Sequence, residues 1–597
     1  MILQALVEHY EALEKKGVFP PFGLGKARVS YALYIDDDGD IKNIVSVKKR
    51  VQKKDKDVAI AMEMTVPYQP QKTSNVSPGF LCGNSAYIFG VDTRNNKKKG
   101  KSLERAQKKT DDSFDEARKL HIELLEKVDS PTARALLNYW KKWDPAGIEK
   151  LKGLCDSQDE FDELISAAVN IVFRYRGRYC HDCQELKDIW LEHYKQKADS
   201  AQKGLCLVTG KQAPIAVTHP HIMGVKDANP SGAALVSFDK DAFCSYGRKQ
   251  SLNAPTGIYA AFAYTTALNH LLADFDHKYN IGGTTFIFWS RTAEDGYADF
   301  MASAIFGGSY PEEEMLDFMK ALAGMRKVTF DKTLLDPAMD FYILGLSPNS
   351  GRLSVRLFFH NTFGELARNI NEHYERMEII NDASKEYPYA HASRLINETV
   401  NPKSKTKKAS PGMTGELIRS ILLNMPYPAS LLNNIYIRIR ADRVINRTRA
   451  GFIKAYYIKN RNRNVPEEVL QMSLNPESSS IPYQLGRLFS VLEDIQQKAN
   501  PDINTTIRDR YFNSASATPA AVFPTLVRLS QKHLRKLEKK KGLKIMLEKQ
   551  MGEIMDHLGT EFPRQINLQE QGSFLLGYYH QTQARYQKKD KEEESNV

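Results

Sequence analysis

The hydrophobic pattern changes period along this 597-residue chain, and that change limits the folds open to it. Around residues 28–51, RVSYALYIDDDGDIKNIVSVKKRV alternates apolar and polar residues on both sides of DDDGD, which predicts a β-hairpin. From residue 416 onward the spacing is helical instead, over 416–423, 429–457, 466–472, 481–498, 525–558 and 572–586. Segregated strands and helices of this kind imply an α+β protein, with a mixed N-terminal region containing a small β-rich part, followed by a C-terminal helical bundle. Between these ends, 59–66 and 86–90 read as strands, and 102–201 as helices that include FDELISAAVNIVFRY. Gly, Pro, Thr and Val dominate from Lys203 to Phe238, which reads as short strands and turns. A helix is expected over 256–278, a strand over 284–290, and a strand pair at 338–346 and 353–360 around SPNSG. NPKSKTKKASPGMTG at 401–415 reads as a linker and KKDKEEESNV as a disordered tail. The expected organisation is 1–101 as a β-rich domain, 102–202 as a helical insertion, 203–400 as a mixed α/β core and 416–597 as the bundle.

A 42% hydrophobic content supports packed cores and excludes a disordered or fibrous chain. The most apolar stretch, 164–173, is about half the ~20 residues a bilayer helix needs. MILQALVEHYEALEKK places Leu3, Leu6, Val7, Tyr10 and Leu13 on one helical face and reads as an amphipathic helix rather than a leader. Six cysteines are too few for a disulfide framework. A soluble cytoplasmic protein with no membrane partner is the expectation.

Net charge is +12, so location matters more than amount. Residues 435–464 carry nine cations against Asp442 alone. On one continuous helix Arg440, Arg443, Arg447 and Lys454 fall within a ~60° arc, opposite apolar residues. Guanidinium forks suit phosphate oxygens, and a merely solvated face usually mixes signs. Residues 42–56 carry seven cations against Asp55, including Lys48, Lys49, Arg50 and Lys53, and 528–549 carry nine against Glu538 and Glu548. Three such segments favour an extended polyanion as ligand.

Catalytic patterns are weak by comparison. Cys180 and Cys183 in CHDC have zinc-knuckle spacing, but no second pair follows Cys206. His219 and His221 flank a proline without nearby acidic residues. No phosphate loop, nucleophile elbow or HExxH motif is present. Binding is therefore expected over catalysis, with no cofactor and no metal. The competing reading is a metal-dependent nuclease built from His219, His221, Cys180 and Cys183.

The run CLVTGKQAPIAVTHPHIMGV, continued by SGAALVSFDKDAFCSYGRKQSLNAPTGIYAAFAYTTALNHLL, resembles the large subunit of the type I-C CRISPR surveillance complex (Cascade). MILQALVEHYEAL, YIRIRADRVINRTRAGFIKAYYI, YQLGRLFSVLEDIQQKAN and FLLGYYHQ fit the same family in the same order, over nearly the whole chain. The resemblance implies a non-enzymatic protein near the 5′ end of a CRISPR guide RNA. Such a protein recognises the protospacer-adjacent motif (PAM) in target double-stranded DNA and helps open the strands and stabilise the R-loop. It partners other subunits of the complex (backbone, guide-handle-binding and small subunits) and helps recruit a helicase-nuclease for antiviral defence. It further implies that the C-terminal helices are also made as a separate small subunit, for which Met472 is the candidate start, giving 472–597.

Under that resemblance the polar loop 68–84 is expected to read the PAM. Gln69, Gln71, Lys72, Ser74, Asn75 and Asn84 would supply the donors and acceptors for base edges. Lys48, Lys49, Arg50 and Lys53, with the cations of 97–101, would hold duplex phosphates. Arg440, Arg443, Arg447 and Lys454 would guide a displaced strand or the heteroduplex. Tyr246, Arg248 and Lys249 in SYGRKQS would contact RNA or a neighbouring subunit.

Overall fold

The computed structural model describes residues 2–53, 56–69, 76–274, 277–281, 283–308, 312–381, 390–405, 409–461 and 465–594. The architecture is α+β. The chain divides into two compact units, one of residues 1–223 and 231–270, the other of 224–230 and 271–597. No helix among the described residues is long and apolar enough to cross a membrane.

The first unit begins with α1 (Ile2–Lys15), which buries Leu6, Val7, Tyr10 and Leu13. β1 (Leu24–Ile35) turns at DDDGD into β2 (Ile41–Ser46), the antiparallel hairpin the alternation implied. Gly39 has φ +79°, and a Cβ there would lie 2.2 Å from the Tyr139 amide nitrogen, so this turn needs glycine. Among the described residues β3 (Lys49–Lys53) and β4 (Lys56–Ile60) pair only with each other, and β5 (Met62–Pro67) then rejoins β1 over Leu24–Val29. The β3–β4 ribbon therefore leaves the sheet near the middle of β1, where β2 hands over to β5.

β6 (Cys82–Gly83) and α2 (Ser85–Ile88) follow, then α3 (Lys101–Leu125), α4 (Pro131–Lys142) and α5 (Gln158–Leu164). The expected strand at 86–90 is instead α2 and its C-terminal cap. NIVFRY, expected as helix, is β7 (Asn170–Tyr175), parallel to β1 and the partner of β6. Its Ile171 and Phe173 join the core of Tyr31, Leu33 and Trp140, while Val172 joins Val29, Ala32 and Val66. A strand buried on both faces loses the period-two signal, which explains the misreading. The unit is completed by β8 (Arg178–Tyr179), α6 (Gln184–Asp199), the hairpin of β9 (Lys203–Leu205) and β10 (Gln212–Pro214), and α7 (Ile258–Ala273) as far as His270.

The second unit opens with β11 (Lys278–Ile281), fully buried β12 (Thr284–Ser290), α8 (Asp295–Phe306) and α9 (Glu312–Ala323). β13 (Val328–Phe330) and β14 (Thr333–Leu335) form a small hairpin, and β15 (Asp340–Asn349) and β16 (Arg352–Thr362) complete an antiparallel sheet of order β11-β12-β15-β16. α10 (Phe363–Met377) and α11 (Ala392–Asn397) precede α12 (Pro411–Leu422), which starts inside the expected linker. The expected helix 429–457 is two helices, α13 (Ala429–Asp442) and α14 (Arg447–Asn460). The bundle proper is α15 (Ile481–Ala499), α16 (Ile507–Ala517), α17 (Pro519–Lys536), α18 (Lys541–Leu558) and α19 (Glu570–Glu594). The 525–558 segment thus breaks into α17 and α18, and the expected disordered tail continues α19 as far as Glu594. One hydrophobic cluster runs from Ile281 to Tyr579, so sheet and C-terminal helices share a core.

Candidate nucleic-acid interface

Of the six residues expected to read bases, Gln71, Lys72, Ser74 and Asn75 lie outside the described residues. Gln69 and Asn84 stand at the two stems of the loop, and both amides turn inward. Gln69 Nε2 donates to the Pro67 carbonyl at 2.7 Å, and Asn84 Nδ2 donates to the Ala167 carbonyl at 3.1 Å. A Cβ on Gly79 would sit 1.9 Å from Gln69 Oε1, so the outgoing and returning strands of the loop touch at a neck. The chain crosses here from β5, on β1, to β6, on β7. The structure places Gln69 and Asn84 in the scaffold of the loop.

Among the ribbon cations, Lys49 and Arg50 are exposed on β3. Register places Lys49 opposite Ile60, Arg50 opposite Ala59 and Lys53 opposite Lys56. The side chain of Lys53 is outside the described residues. Lys48, at the base of the ribbon, is committed elsewhere: its ammonium bonds the Glu163 carboxylate and, at 3.2 Å, the Tyr31 hydroxyl. Burial raises the Glu163 pKa, but Lys48 and Tyr31 outweigh it and hold the carboxyl below its usual range. Lys97, Lys98, Lys99 and Lys101 are exposed ahead of and at the start of α3.

The arginine stripe of 440–454 does not form on one helix. Arg443 caps α13 in the left-handed region at φ +57°, and Asn446 caps α14 by accepting the Arg449 N–H. Arg440 is exposed yet donates to Gln571 Oε1 at 2.6 Å, Arg443 lies 3.8 Å from Asp509, and Arg447 donates to the Ile379 carbonyl at 3.4 Å. Lys454 is 4% exposed and donates to the Glu378 carbonyl at 2.6 Å, just past the end of α10. Burial lowers the Lys454 pKa. Arg449 joins Glu398 and Asp442 at 2.6 and 2.8 Å, and Arg438 also bonds Asp442. These positive charges are largely knitted into helix ends.

A continuous cationic stripe exists on α17. Arg528, Lys532, Arg535 and Lys536 are all exposed. At 100° per residue they span a ~100° arc, opposite the buried Val522, Phe523, Leu526 and Leu534. Among the described residues Arg528, Lys532 and Arg535 have no ion-pair partner, and Lys536 bonds Asn500 Oδ1 at 2.7 Å. Exposed Lys539, Lys540 and Lys541 continue the charge through the turn into α18. The sequence counted these charges, but the phasing became visible only once the helix boundary at Lys536 was known.

Tyr246, Arg248 and Lys249 form an exposed turn in the first unit. Asn253 organises it, accepting the Ser245 N–H at 2.8 Å and donating to the Arg248 and Gln250 carbonyls at 3.0 and 2.9 Å. Tyr246, at φ +53°, is 99% exposed.

The metal-site candidates are dispersed. Among the described residues no three His, Cys, Asp or Glu side chains gather as ligands would. His219 is buried, bonds the Tyr264 hydroxyl through Nδ1 at 2.7 Å, and has its pKa pushed down to about 4 by burial. Burial pushes the Cys180 thiol up, and Cys183 donates to Glu185 at 2.9 Å.

Two α+β units carrying solvent-facing cations on a β-ribbon, an exposed turn and one helix define a candidate polyanion-binding protein. The model of the family described as CRISPR-associated protein (Cas_Csd1) matches residues 6–586, and the chain belongs to that family. No curated protein matches the chain.

Proposed function

We propose that the chain is the non-catalytic large subunit of a type I-C CRISPR RNA-guided surveillance complex, which recognises the PAM in duplex DNA, assists strand opening and R-loop stabilisation, and helps recruit the helicase-nuclease. Family membership supports the CRISPR setting. The observation that carries the nucleic-acid part is the α17 stripe, where exposed cations without carboxylate partners lie opposite a buried apolar face. In this reading α17 and the turn after it track a displaced strand or the heteroduplex. Lys49 and Arg50 on the ribbon hold PAM-side phosphates, and the segment 68–84 supplies the groups that read base edges. Tyr246, Arg248 and Lys249 dock RNA or a neighbouring subunit. Sequence along the target is left to guide pairing, and the protein reads only the short duplex element.

The test is to assemble the chain with guide RNA and the neighbouring subunits and measure binding across a library of duplexes varied at the PAM. Preference for a short motif beside the guide-matched sequence supports the reading. Equal binding to all duplexes rejects it.

A further inference from the structure

We infer that the exposed turn at residues 245–248 is a stacking site for one unpaired base of a single-stranded nucleic acid, with Tyr246 as the platform and Arg248 and Lys249 on the flanking phosphates. This rests on the reading that the turn docks RNA or a neighbouring subunit, and it selects the nucleic acid.

Tyr246 stands where backbone sterics disfavour it. The Arg248 N–H donates to the Ser245 carbonyl at 3.0 Å, which closes a four-residue β-turn. Its two central residues, Tyr246 and Gly247, have φ +53° and +69°. Positive φ at both centres is the signature of a type I′ turn, whose first centre is normally Asn, Asp or Gly. Gly247 suits its place. Tyr246 does not, because a Cβ bearing a ring crowds the backbone in the left-handed region. The ring gains no contact within the fold in return: it is 99% exposed, and among the described residues it meets no other ring, hydrogen-bond partner or cation.

The surrounding chain holds this conformation. The Asn253 side-chain bonds to the Ser245 N–H and to the Arg248 and Gln250 carbonyls make one amide span both ends of the turn. Ser251, 2% exposed, donates its N–H to the Val217 carbonyl at 3.3 Å and ties the segment to the body of the first unit. A disfavoured backbone fixed by its surroundings, with a side chain the fold does not use, is the pattern of a binding residue.

The chemistry on the turn identifies the occupant. A tyrosine face stacks on the π-face of any base, and an unpaired base is free to leave its neighbours for it. Arg248 and Lys249 are exposed, and among the described residues neither has an ion-pair partner, so both can donate to phosphate oxygens. No acidic residue lies between Asp241 and Asp274 to repel a phosphate from within the segment. A protein partner would be gripped by apolar area around the ring, and the other members of the turn are Ser245, Gly247 and Arg248. A Cβ on Gly247 would meet nothing within 4 Å, so the turn stands clear of the fold.

Photocrosslinking of the full-length chain tests this residue by residue. The probes are single strands of RNA and of DNA, about 12 nucleotides long, each with a central 5-iodouracil, and the crosslinks are mapped by mass spectrometry. Tyr246 should crosslink, and the stronger arm tells a guide RNA from a displaced DNA strand. Affinity is then measured with Arg528→Ala, Lys532→Ala and Arg535→Ala as background, so that α17 does not mask the turn. There Tyr246→Asn should weaken binding about 5- to 150-fold at unchanged salt slope, and Tyr246→Phe should not. The Asn variant should melt no lower than its parent, because asparagine suits the turn. Absence of a Tyr246 crosslink in both arms overturns the inference whatever the variants do. Unchanged affinity in Tyr246→Asn, or an equal loss in Tyr246→Phe, overturns it too. If strand binding is unchanged but Tyr246→Asn releases a neighbouring subunit from the assembled complex, the inference fails and the docking reading survives as a protein contact. If neither strand nor subunit responds, both fail.

Discussion

Removing the α17 stripe should weaken nucleic-acid binding while leaving the fold intact. The perturbation is Arg528→Ala, Lys532→Ala and Arg535→Ala together. At 1.5 Å rise per residue the three side chains span about 10 Å, against a phosphate spacing of about 3.4 Å along one duplex strand, so each can address a separate phosphate. Each lost contact should reduce the slope of log K against log salt by about 0.9 on duplex or about 0.7 on single-stranded DNA, so the triple variant should flatten it by about 2 to 3. At 0.15 M salt each released counterion contributes roughly 1 kcal/mol, which makes the total loss about 50- to 150-fold. Stability should not fall, because the buried face of α17 is untouched and alanine favours helix. The assay is fluorescence anisotropy of a labelled target with the assembled complex at several salt concentrations, beside a thermal melt. An unchanged slope and affinity at unchanged melting temperature would reduce the stripe to a solvated helix face.

Other outcomes follow from packing and protonation. α15 and α19 meet backbone to backbone: a Cβ on Gly577 would lie 2.1 Å from the Tyr483 carbonyl oxygen, and one on Gly486 would lie 2.0 Å from that of Phe574. Gly577→Ala should therefore cost about 3 kcal/mol or more in urea unfolding, and a loss below about 0.5 kcal/mol would contradict the close approach. Lys454→Met should destabilise the chain by about 1–3 kcal/mol by orphaning the Glu378 carbonyl, with the salt slope of DNA binding unchanged; a flatter slope would instead make Lys454 a phosphate contact. His121 and His219 in the first unit have pKa values pushed down by burial to about 4, and His373 and His580 in the second to about 3. These folded-state values lie below the unfolded value near 6.5, so protonation favours the unfolded chain. The contribution is complete above that value and is lost as pH falls toward the folded values, by about 2 kcal/mol per histidine between pH 7 and pH 5. A urea midpoint that does not move over that interval would refute the buried neutral assignments.

How much of this was legible in the sequence depends on whether the signal was local. The β1–β2 hairpin was readable because DDDGD supplies a glycine where only glycine fits, and β12 was readable as a short β-branched and aromatic run. β7 was not, because burial on both faces erases alternation and leaves an apolar run indistinguishable from buried helix. The break between α13 and α14 has no glycine or proline to mark it; its one local sign is Asn446 as an N-cap, three residues before Arg449. Missing that break placed Arg440, Arg443, Arg447 and Lys454 on a shared face that the chain does not form. The exposed α17 stripe was visible as charge but not as geometry, and the hydrogen bond from the Leu81 N–H to His121 joins residues 40 apart, which no spacing rule reaches.

The most direct test of the central claim uses an end-labelled, PAM-bearing duplex and the guide-loaded complex at physiological salt, without the helicase-nuclease, reading retention and integrity of the DNA together. The expected result is DNA that is retained and intact, with a duplex lacking the PAM released. Cleavage by the complex alone, or equal release of both duplexes, would contradict the claim that this chain grips target DNA and leaves its cutting to another protein.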